Sequence, residues 1–457
     1  MRSADSTARR LPDSIVLIFL LIVLAQAASY VIPAGEFERD GRQVIEGTYH
    51  AVEAEPLPPL TFLTAVPAGL AAAQEIIFFV FLVGGVIRVV RATGAIDAVI
   101  GWAISRLGAR PAWLVAGMVA LFSLGSSTVG MAEEYMPFVP ILVAMCLALK
   151  LDAVVAVGII YVGAGVGYAC AAVNPFTVLI AQDIAGLELT SGQLVRWLLL
   201  VVCLAVGVQH ILRYAARVRS DPARSLVADV DYTGGFERPE GVRFTGRRAA
   251  VIAILVGGIG LFVYGVAARG WYLVELSAVF LGIGLLAALV GRLGPNGAAR
   301  AFLDGAAEMT ATALLIGFAR TIEVVLSDAR VIDTIIQALA APLGALPAHA
   351  AAVGMLAAQT ICNLFIPSGS GQAYVTMPIM APLADLTGVT RQTAVLAYQF
   401  GDGFTNMLVP TNALLMGILG LARIPYQRWV AFVVPLLVKL YLIAGLALVA
   451  AVQLGYR

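Results

Sequence analysis

Polar and helix-breaking residues are concentrated between Asn363 and Asn412, in a strongly apolar part of the chain. In chain order they are Pro367-Ser368-Gly369-Ser370-Gly371-Gln372, Gly401-Asp402-Gly403, Asn406 and Pro410-Thr411-Asn412. Backbone that is broken by glycine and proline is tolerated at membrane depth only where it is buried in protein or lines a cavity. This stretch therefore predicts a binding site, and the rest of the chain is expected to hold and move it.

Acidic residues within apolar segments are a second source of chemistry. Asp402 lies between two glycines, and Glu133 and Glu134 follow an earlier cluster of small polar residues. Charges inside a membrane are costly and indicate a function by default. We expect these acids to bind a proton, a sodium ion or the ammonium group of a substrate. Arg320 and Glu323, three residues apart, either pair on one helix face or contribute to coupling.

The composition is that of a polytopic membrane protein. Of the 457 residues, 60% are hydrophobic and 12% are charged, and the mean hydropathy is +0.92. The net charge of +1 provides no basic surface for nucleic acid. The four cysteines form no CxxC pair, and the three histidines lack the spacing of zinc ligands. We therefore expect a non-enzyme whose only cofactor is a coupling ion, Na+ or H+.

The distribution of charge predicts the orientation in the cell inner membrane. Three arginines precede the first helix, near residues 14–32, whereas the following loop has six acids and two arginines. Positive charge stays in the cytoplasm, so the N-terminus is predicted to be cytoplasmic and the loop extracytoplasmic. Residues 213–248 carry eight arginines and five acids and are also predicted to be cytoplasmic.

Two dense apolar blocks resemble each other. Matching tetrapeptides begin at Tyr135 and Thr376 and at Gly165 and Gly401, and shorter matches pair residues 95–97 with 331–333 and 196–197 with 428–429. All keep an offset of 232 to 241 residues. Internal duplication of this kind is typical of secondary transporters. The predicted organisation is an N-terminal scaffold (1–74), repeat 1 (75–218), a cytoplasmic linker (219–248), scaffold helices (249–305) and repeat 2 (306–457).

Each repeat contains an apolar segment with a small, polar centre, at about 122–140 and 362–382. Neither segment is long enough for two full spans. They predict re-entrant helical hairpins with tips at Gly125-Ser126-Ser127-Thr128 and Ser368-Gly369-Ser370-Gly371; the alternative is a short loop at the membrane surface. The helix after such a tip presents unpaired N–H groups that suit a carboxylate.

A longer apolar segment with a broken centre follows each hairpin, at 159–180 and 394–415. Proline frees backbone carbonyls that can coordinate sodium, and nearby amides and hydroxyls add further oxygens. These segments predict discontinuous helices. The alternative is a pair of proline-kinked helices that glycine packs together.

These motifs resemble the YfcC family, relatives of the C4-dicarboxylate carriers of the DcuC type in the ion transporter superfamily. The resemblance rests on Asn174-Pro175-Phe176-Thr177 with Ala181-Gln182, on the tip from Ile366 to Gln372, and on Asp402-Gly403-Phe404-Thr405-Asn406 through Asn412. It implies an all-α fold of two inverted repeats, a scaffold that forms a homodimer, and a transport domain that moves as an elevator.

The resemblance also implies a substrate site. Its residues are Ser126, Ser127, Thr128, Asn174, Thr177, Ser368, Gly369, Ser370, Gly371, Asn406, Thr411 and Asn412. A sodium ion is expected near Ser127, Asn174, Ser370 and Asn406. The first tip departs from the serine-asparagine-threonine pattern of dicarboxylate–sodium symporters, which argues against their mechanism.

The leading hypothesis is a secondary active transporter of a small carboxylate-bearing metabolite. Acids at the site and few bases near the tips favour an amino acid, with basic amino acids included, and a C4-dicarboxylate is the alternative. An intramembrane aspartyl protease would explain Asp402, but Gln399 replaces the first glycine of that motif and the duplication stays unexplained. A passive channel would predict a continuous pore.

Overall fold

The computed structural model describes residues 14–40, 43–45, 47–96, 98, 111–128, 130–174, 176–232, 245–269, 271 and 273–457. Asp97, Pro175, the side chain of Glu134 and residues 233–244 of the predicted linker lie outside this described part. The regular secondary structure of the described residues is helical, except for four two-residue strands near the N-terminus.

The helices follow one another in this order: α1 (Ser14–Ser29), α2 (Thr61–Ala72), α3 (Gln74–Ala92), α4 (Pro111–Thr128), α5 (Phe138–Ala148), α6 (Ala153–Ala169), α7 (Val178–Ile184), α8 (Gln193–Ser220), α9 (Gly246–Arg269), α10 (Leu273–Gly291), α11 (Pro295–Glu308), α12 (Thr310–Asp328), α13 (Ile332–Ala340), α14 (Ala348–Phe365), α15 (Gly369–Thr387), α16 (Arg391–Thr405), α17 (Ala413–Leu421) and α18 (Tyr426–Leu454). A π-helical turn, Gly158–Val162, interrupts α6.

Long apolar helices give the described chain its membrane character. Within the described residues, α8, α10, α14 and α18 are each long and apolar enough to cross a membrane. The pair α2 and α3, bent by 61°, and the pair α11 and α12, bent by 42°, raise the number of spans to six if each is one broken span.

The helices form two groups. In the first group, α3 packs against α10 and α11, and α12 packs against α1 and α2. In the second group, α4 packs against α6, and α16 packs against α6, α14, α15 and α18. The most extensive contact between the groups is that of α12 with α17. The predicted repeats contribute their hairpins and broken helices to the second group.

The short strands form a small lobe that is tied to the start of α13. Strand β1 (Gly35–Glu36) pairs with β4 (His50–Ala51), and β2 (Arg39–Asp40) pairs with β3 (Gln43–Val44), all antiparallel. The buried carboxylate of Asp333 accepts from the guanidinium of Arg39 at 2.7 Å and from the Phe37 N–H at 3.0 Å.

A fully buried arginine links the start of α8 to the start of α16. Arg196, at the start of α8, donates to the Ser191 carbonyl at 2.9 Å and to the Gln392 side chain at the start of α16.

The described part of the predicted linker is docked against the second helix group. Asp152 accepts from the hydroxyls of Tyr214 and Ser225, each at 2.6 Å, and also from the N–H of Val155 at 3.0 Å, which caps α6. Asp152 is only 5% exposed. The linker therefore begins as an ordered segment that is held at the start of a broken helix.

We expect Ser225→Ala to release this segment. The variant removes a hydrogen bond to a buried carboxylate, an interaction worth about 1.5–3 kcal/mol. In purified protein, trypsin should cut after the exposed Arg224 several-fold faster than in the wild type. Ser220→Ala is the matched control, because the Ser220 hydroxyl bonds only to the Arg217 carbonyl of its own helix. Equal cleavage rates in the two variants would contradict the docking.

Candidate functional site

Helices α14 and α15 form an antiparallel hairpin with a polar turn. The Asn363 amide donates to Gln372 at 3.0 Å, and the Gln359 amide donates to the Thr376 hydroxyl at 3.0 Å. In each pair, the two residues are equally far along the chain from the bond between Pro367 and Ser368, as expected for two antiparallel helices that are joined there. Proline ends the first helix, and Ser368 caps the second by accepting from the Gly371 N–H at 3.3 Å.

The segment that follows α4 folds back against the end of that helix. The Ser126 hydroxyl donates to the Met131 carbonyl at 2.8 Å, and the Tyr135 hydroxyl donates to the Phe122 carbonyl at 2.8 Å. Both pairs are symmetric about a point between residues 128 and 129, at an offset from the second turn that lies within the range of the sequence repeat. The prediction of the tip itself is wrong by a few residues, because Gly125-Ser126-Ser127-Thr128 form the last turn of α4. The helical arms extend beyond the predicted segments: the helix before the second tip begins at Ala348 and the helix after it ends at Thr387.

Both long segments that follow the hairpins are broken. Helix α6 ends at Ala169 and α7 begins at Val178, while α16 ends at Thr405 and α17 begins at Ala413. Gly401 and Gly403 lie in regular helix, before the break and not in it. Their role is close packing: a Cβ at Gly403 would lie 2.3 Å from the backbone nitrogen of Ala169. The two broken helices therefore cross in backbone contact.

Side chains already satisfy the carbonyls that the second break frees. The carbonyls of Asn406, Met407 and Leu408 accept from Tyr161 at 3.1 Å, Trp429 at 2.8 Å and Tyr426 at 2.6 Å. The sequence predicted that such carbonyls would be available to sodium. Here each has a hydrogen bond already, so side-chain oxygens are the stronger candidates for ligands.

The first tip is held against the first break. The Asn174 amide donates to the Ser126 carbonyl at 2.9 Å, and the Ser127 hydroxyl accepts from the Ala172 N–H at 3.1 Å. The Asn174 oxygen accepts from the Phe176 N–H at 2.8 Å. Ser126, Ser127 and Asn174 are all fully buried. Because the side chains of all three residues bond to nearby backbone groups, this cluster stabilises the local fold, and their side-chain oxygens all have hydrogen-bond partners.

A second cluster surrounds Asp402, which is fully buried in the last turns of α16. Its Oδ1 accepts from the amides of Asn363 at 3.0 Å and Asn406 at 2.8 Å. Asn412 donates to the Asn406 oxygen at 2.7 Å, and its own oxygen accepts from the Leu415 N–H at 3.1 Å, which caps α17. Within the described structure, Asp402 Oδ2 and Asn363 Oδ1 are buried and have no hydrogen-bond partner.

The second tip touches both breaks. A Cβ at Gly369 would lie 2.6 Å from Thr177 Cγ2 and 3.2 Å from Asp402 Oδ2. The Gly369 carbonyl accepts from the Tyr398 hydroxyl at 2.7 Å. The Gln399 side chain lies between the ends of the first break. In the amide orientation that gives both its nitrogen and its oxygen a hydrogen bond, it donates to the Tyr168 carbonyl at 3.1 Å and accepts from the Val178 N–H at 3.0 Å.

The structure does not bring every predicted site residue into these clusters. The Thr128 hydroxyl bonds back to the Leu124 carbonyl of its own helix at 2.6 Å. Glu133 is half-buried in a short 3₁₀ turn, and within the described residues the buried Thr411 hydroxyl has no partner. Ser370 is half-buried at the start of α15.

Two other predictions involve groups of residues. Of the four residues expected to surround one sodium ion, Ser127 and Asn174 belong to the first cluster and Asn406 belongs to the second. Arg320 and Glu323 pair with each other along α12. This pairing is the first of the two alternatives that the sequence left open, and a part in coupling stays a prediction.

The predicted site leaves out four amide and hydroxyl residues that join the arms of the second hairpin to Asp402. They are Gln359, Asn363, Gln372 and Thr376, all fully buried. The available signal was their spacing, because each pair is four residues apart and so shares one helix face. Among the described residues, no group of three or more histidine, cysteine, aspartate or glutamate side chains could hold a metal ion.

Known proteins similar to this chain are transporters where a role is stated. The family model DcuC, "C4-dicarboxylate anaerobic carrier", matches residues 11–453. The chain is 32% identical to the Escherichia coli (strain K12) protein named "Putative basic amino acid antiporter YfcC", over 98% of this chain and 97% of that protein. It is also 32% identical to an uncharacterized protein of Haemophilus influenzae, over 90% of this chain and 82% of that protein.

Two solved transporter structures align at low similarity. The Alcanivorax borkumensis YdaH transporter aligns with a TM-score of 0.44 and 15% identity, over 97% of this chain and 99% of that chain. Neisseria gonorrhoeae MtrF aligns with a TM-score of 0.42 and 17% identity, over 97% of this chain and 95% of that chain.

Proposed function

The chain belongs to the DcuC family of membrane transporters, and we propose that it is a secondary active transporter of an amino acid, with basic amino acids as the first candidates. The protein is a multi-pass membrane protein. The proposal rests above all on one observation: the free oxygen of buried Asp402 lies beside the first residue of α15. A carboxylate site and a cation site are therefore adjacent.

The substrate carboxylate would bind the start of α15. The first N–H groups of a helix have no partner within the helix, and its dipole favours an anion. The Gly371 N–H already donates to the Ser368 side chain, and the Gln372 N–H donates to the Ser368 carbonyl at 2.7 Å. This leaves the N–H groups of Gly369 and Ser370 for a ligand. Glycine at position 369 lets that ligand approach the backbone closely.

The charges favour a substrate that also carries an amine. The described contacts of the two clusters include Asp402 but no lysine or arginine. A dicarboxylate needs positive potential to offset its second charge. The half-buried Glu133 and its neighbour Glu134 would receive the ammonium or the basic side chain. C4-dicarboxylate transport remains the second candidate function, since the family model is named for it.

Asp402 would carry the coupling ion. A fully buried polar group without a hydrogen bond is costly, and a buried charge more so. Asp402 and Asn363 would hold a sodium ion or a proton, which would offset the cost of their unpaired oxygens. Asn363 and Asp402 therefore replace the earlier sodium set in the proposal.

The proposed motion is an elevator. The second helix group, with both hairpins and both breaks, would move against the first as a transport domain. The repeated hairpin and break support two inverted repeats with re-entrant tips. A homodimer in the cell inner membrane with cytoplasmic N-termini completes the proposal, on the strength of the charge distribution and the family resemblance.

Binding and uptake by purified full-length protein test this function. Arginine, ornithine, lysine, alanine, aspartate and succinate would each be added in a thermal-stability assay, since a ligand stabilises the state that it binds. We expect stabilisation by a basic amino acid, and uptake into liposomes that internal amino acid or an ion gradient accelerates. Stabilisation by succinate alone, with sodium-driven uptake, would support the dicarboxylate function instead. Flux that never accumulates substrate against a gradient would indicate a channel.

A further inference from the structure

An apolar groove of about 920 Å³ lies in the first helix group, remote from the tips and breaks. Its floor is Val86 and Val89 of α3, and its walls are α10 and α11. Small residues line these walls, including Gly284, Ala288 and Ala298. Because these side chains are small, α10 lies close to the floor at Gly284, where a Cβ would be 3.0 Å from Val86 Cγ2, and the space outside the floor is left unfilled.

The groove opens to the outside along a row of exposed leucines. Leu285, Leu289 and Leu303 are 67%, 74% and 65% exposed. Such a face on a membrane protein contacts the hydrocarbon of the bilayer. The lining residues of α10 run from Leu281 to Leu289, a length of about 12 Å at 1.5 Å per residue, and Arg292 follows just beyond the end of the helix. This is close to half of the roughly 30 Å hydrocarbon thickness, so the groove spans one leaflet.

One end of the groove is cationic. Arg292 is the charged residue among the lining residues of the described structure, and it is exposed at the turn between α10 and α11. Within the described part of the chain, its guanidinium has no carboxylate partner. Two apolar helices, α9 and α10, separate this end from residues 213–248, which the sequence predicts to be cytoplasmic, so we expect this end to face the cytoplasm as well. On that side, basic pockets between membrane helices bind anionic lipid head groups.

We propose that this groove binds one anionic phospholipid. The head-group phosphate pairs with Arg292, and an acyl chain lies along α10 over Val86 and Val89. The depth of one leaflet and the charge at the mouth favour a lipid over a second copy of the chain, whose helices would need an apolar face across both leaflets. The lipid fills the space between α10 and α11 and so stabilises the first helix group.

Native mass spectrometry of the delipidated, full-length protein tests the proposal. Phosphatidylglycerol and phosphatidylcholine with identical acyl chains would be added in turn. We expect the wild type to retain phosphatidylglycerol several-fold more than phosphatidylcholine. Arg292→Gln should abolish that preference, and Ala288→Trp, which fills the groove, should reduce binding of both lipids. Arg300→Gln is the matched control, because Arg300 is an exposed arginine of α11 outside the lining.

Two results would overturn the proposal. One is equal retention of phosphatidylglycerol by the wild type and Arg292→Gln. This comparison does not depend on Ala288→Trp, the variant that changes the packing of the groove. The other is a wild-type dimer that becomes monomeric in Ala288→Trp while lipid binding stays unchanged, which would assign the groove to a second copy.

Discussion

Asp402→Asn is expected to reduce uptake by roughly 100-fold, equivalent to about 2.7 kcal/mol at 1.36 kcal/mol per factor of ten. The reason is local. Asparagine keeps the size of the side chain and an oxygen for the amides of Asn363 and Asn406. It loses the charge and the basic oxygen that would bind the coupling ion. The apparent melting temperature should stay the same or rise, because the variant removes an uncompensated buried carboxylate.

The measurement is uptake into liposomes, with the dependence on sodium and pH recorded for each variant. Asp385→Asn is the matched control, since Asp385 is an exposed acid at the end of α15 that pairs with Arg391 at 2.7 Å. Its uptake should change by less than about twofold, as expected for a surface ion pair. If Asp402→Asn keeps wild-type uptake and the same ion dependence, Asp402 has no part in coupling. The proposed substrate class would still be tested by the thermal-stability assay with amino acids and succinate, because that assay does not depend on the role of Asp402.

The second turn and both breaks could be predicted from the sequence because their causes are local, whereas the residues predicted as the first tip form the end of α4. Pro367 and Ser368 end one helix and begin the next through their own backbone and side-chain chemistry. The breaks likewise follow from proline and asparagine within apolar runs. The near-constant offset between the repeats adds a second, independent reason to look for the same feature twice.

The partners of the polar side chains could not be predicted. Asn363 bonds to Asp402, 39 positions along the chain, and Ser225 bonds to Asp152, 73 positions away. An amide in an apolar helix indicates that a partner exists but not which one. For this reason the four predicted sodium ligands were grouped without knowledge of the two clusters, and Asn363 was left out of the predicted site.

Glycine was ambiguous for a different reason. The same residue type allows a broken backbone and allows two helices to approach closely. The sequence placed Gly401 and Gly403 at the centre of a break, whereas both lie in regular helix. Only the position of the neighbouring helix distinguishes the two roles.

Gly403→Ala is therefore expected to damage the fold. The added methyl group would lie 2.3 Å from the nitrogen and 2.6 Å from the Cα of Ala169. Both atoms are backbone, so no side chain can rotate away, and α6 and α16 must separate. Overpacking of this kind typically costs about 1–3 kcal/mol. Because this crossing holds both breaks, uptake should fall together with stability.

The check is the apparent melting temperature of the purified variant, which we expect to fall by several degrees. Gly445→Ala in α18 is the matched control, because a Cβ there meets no atom within 4 Å. Alanine is a better helix former than glycine by about 0.5–1 kcal/mol, so this variant should be as stable as the wild type or more stable. Equal melting temperatures for the two variants would mean that α6 and α16 do not cross in backbone contact, and the geometry around Asp402 would then have to be revised.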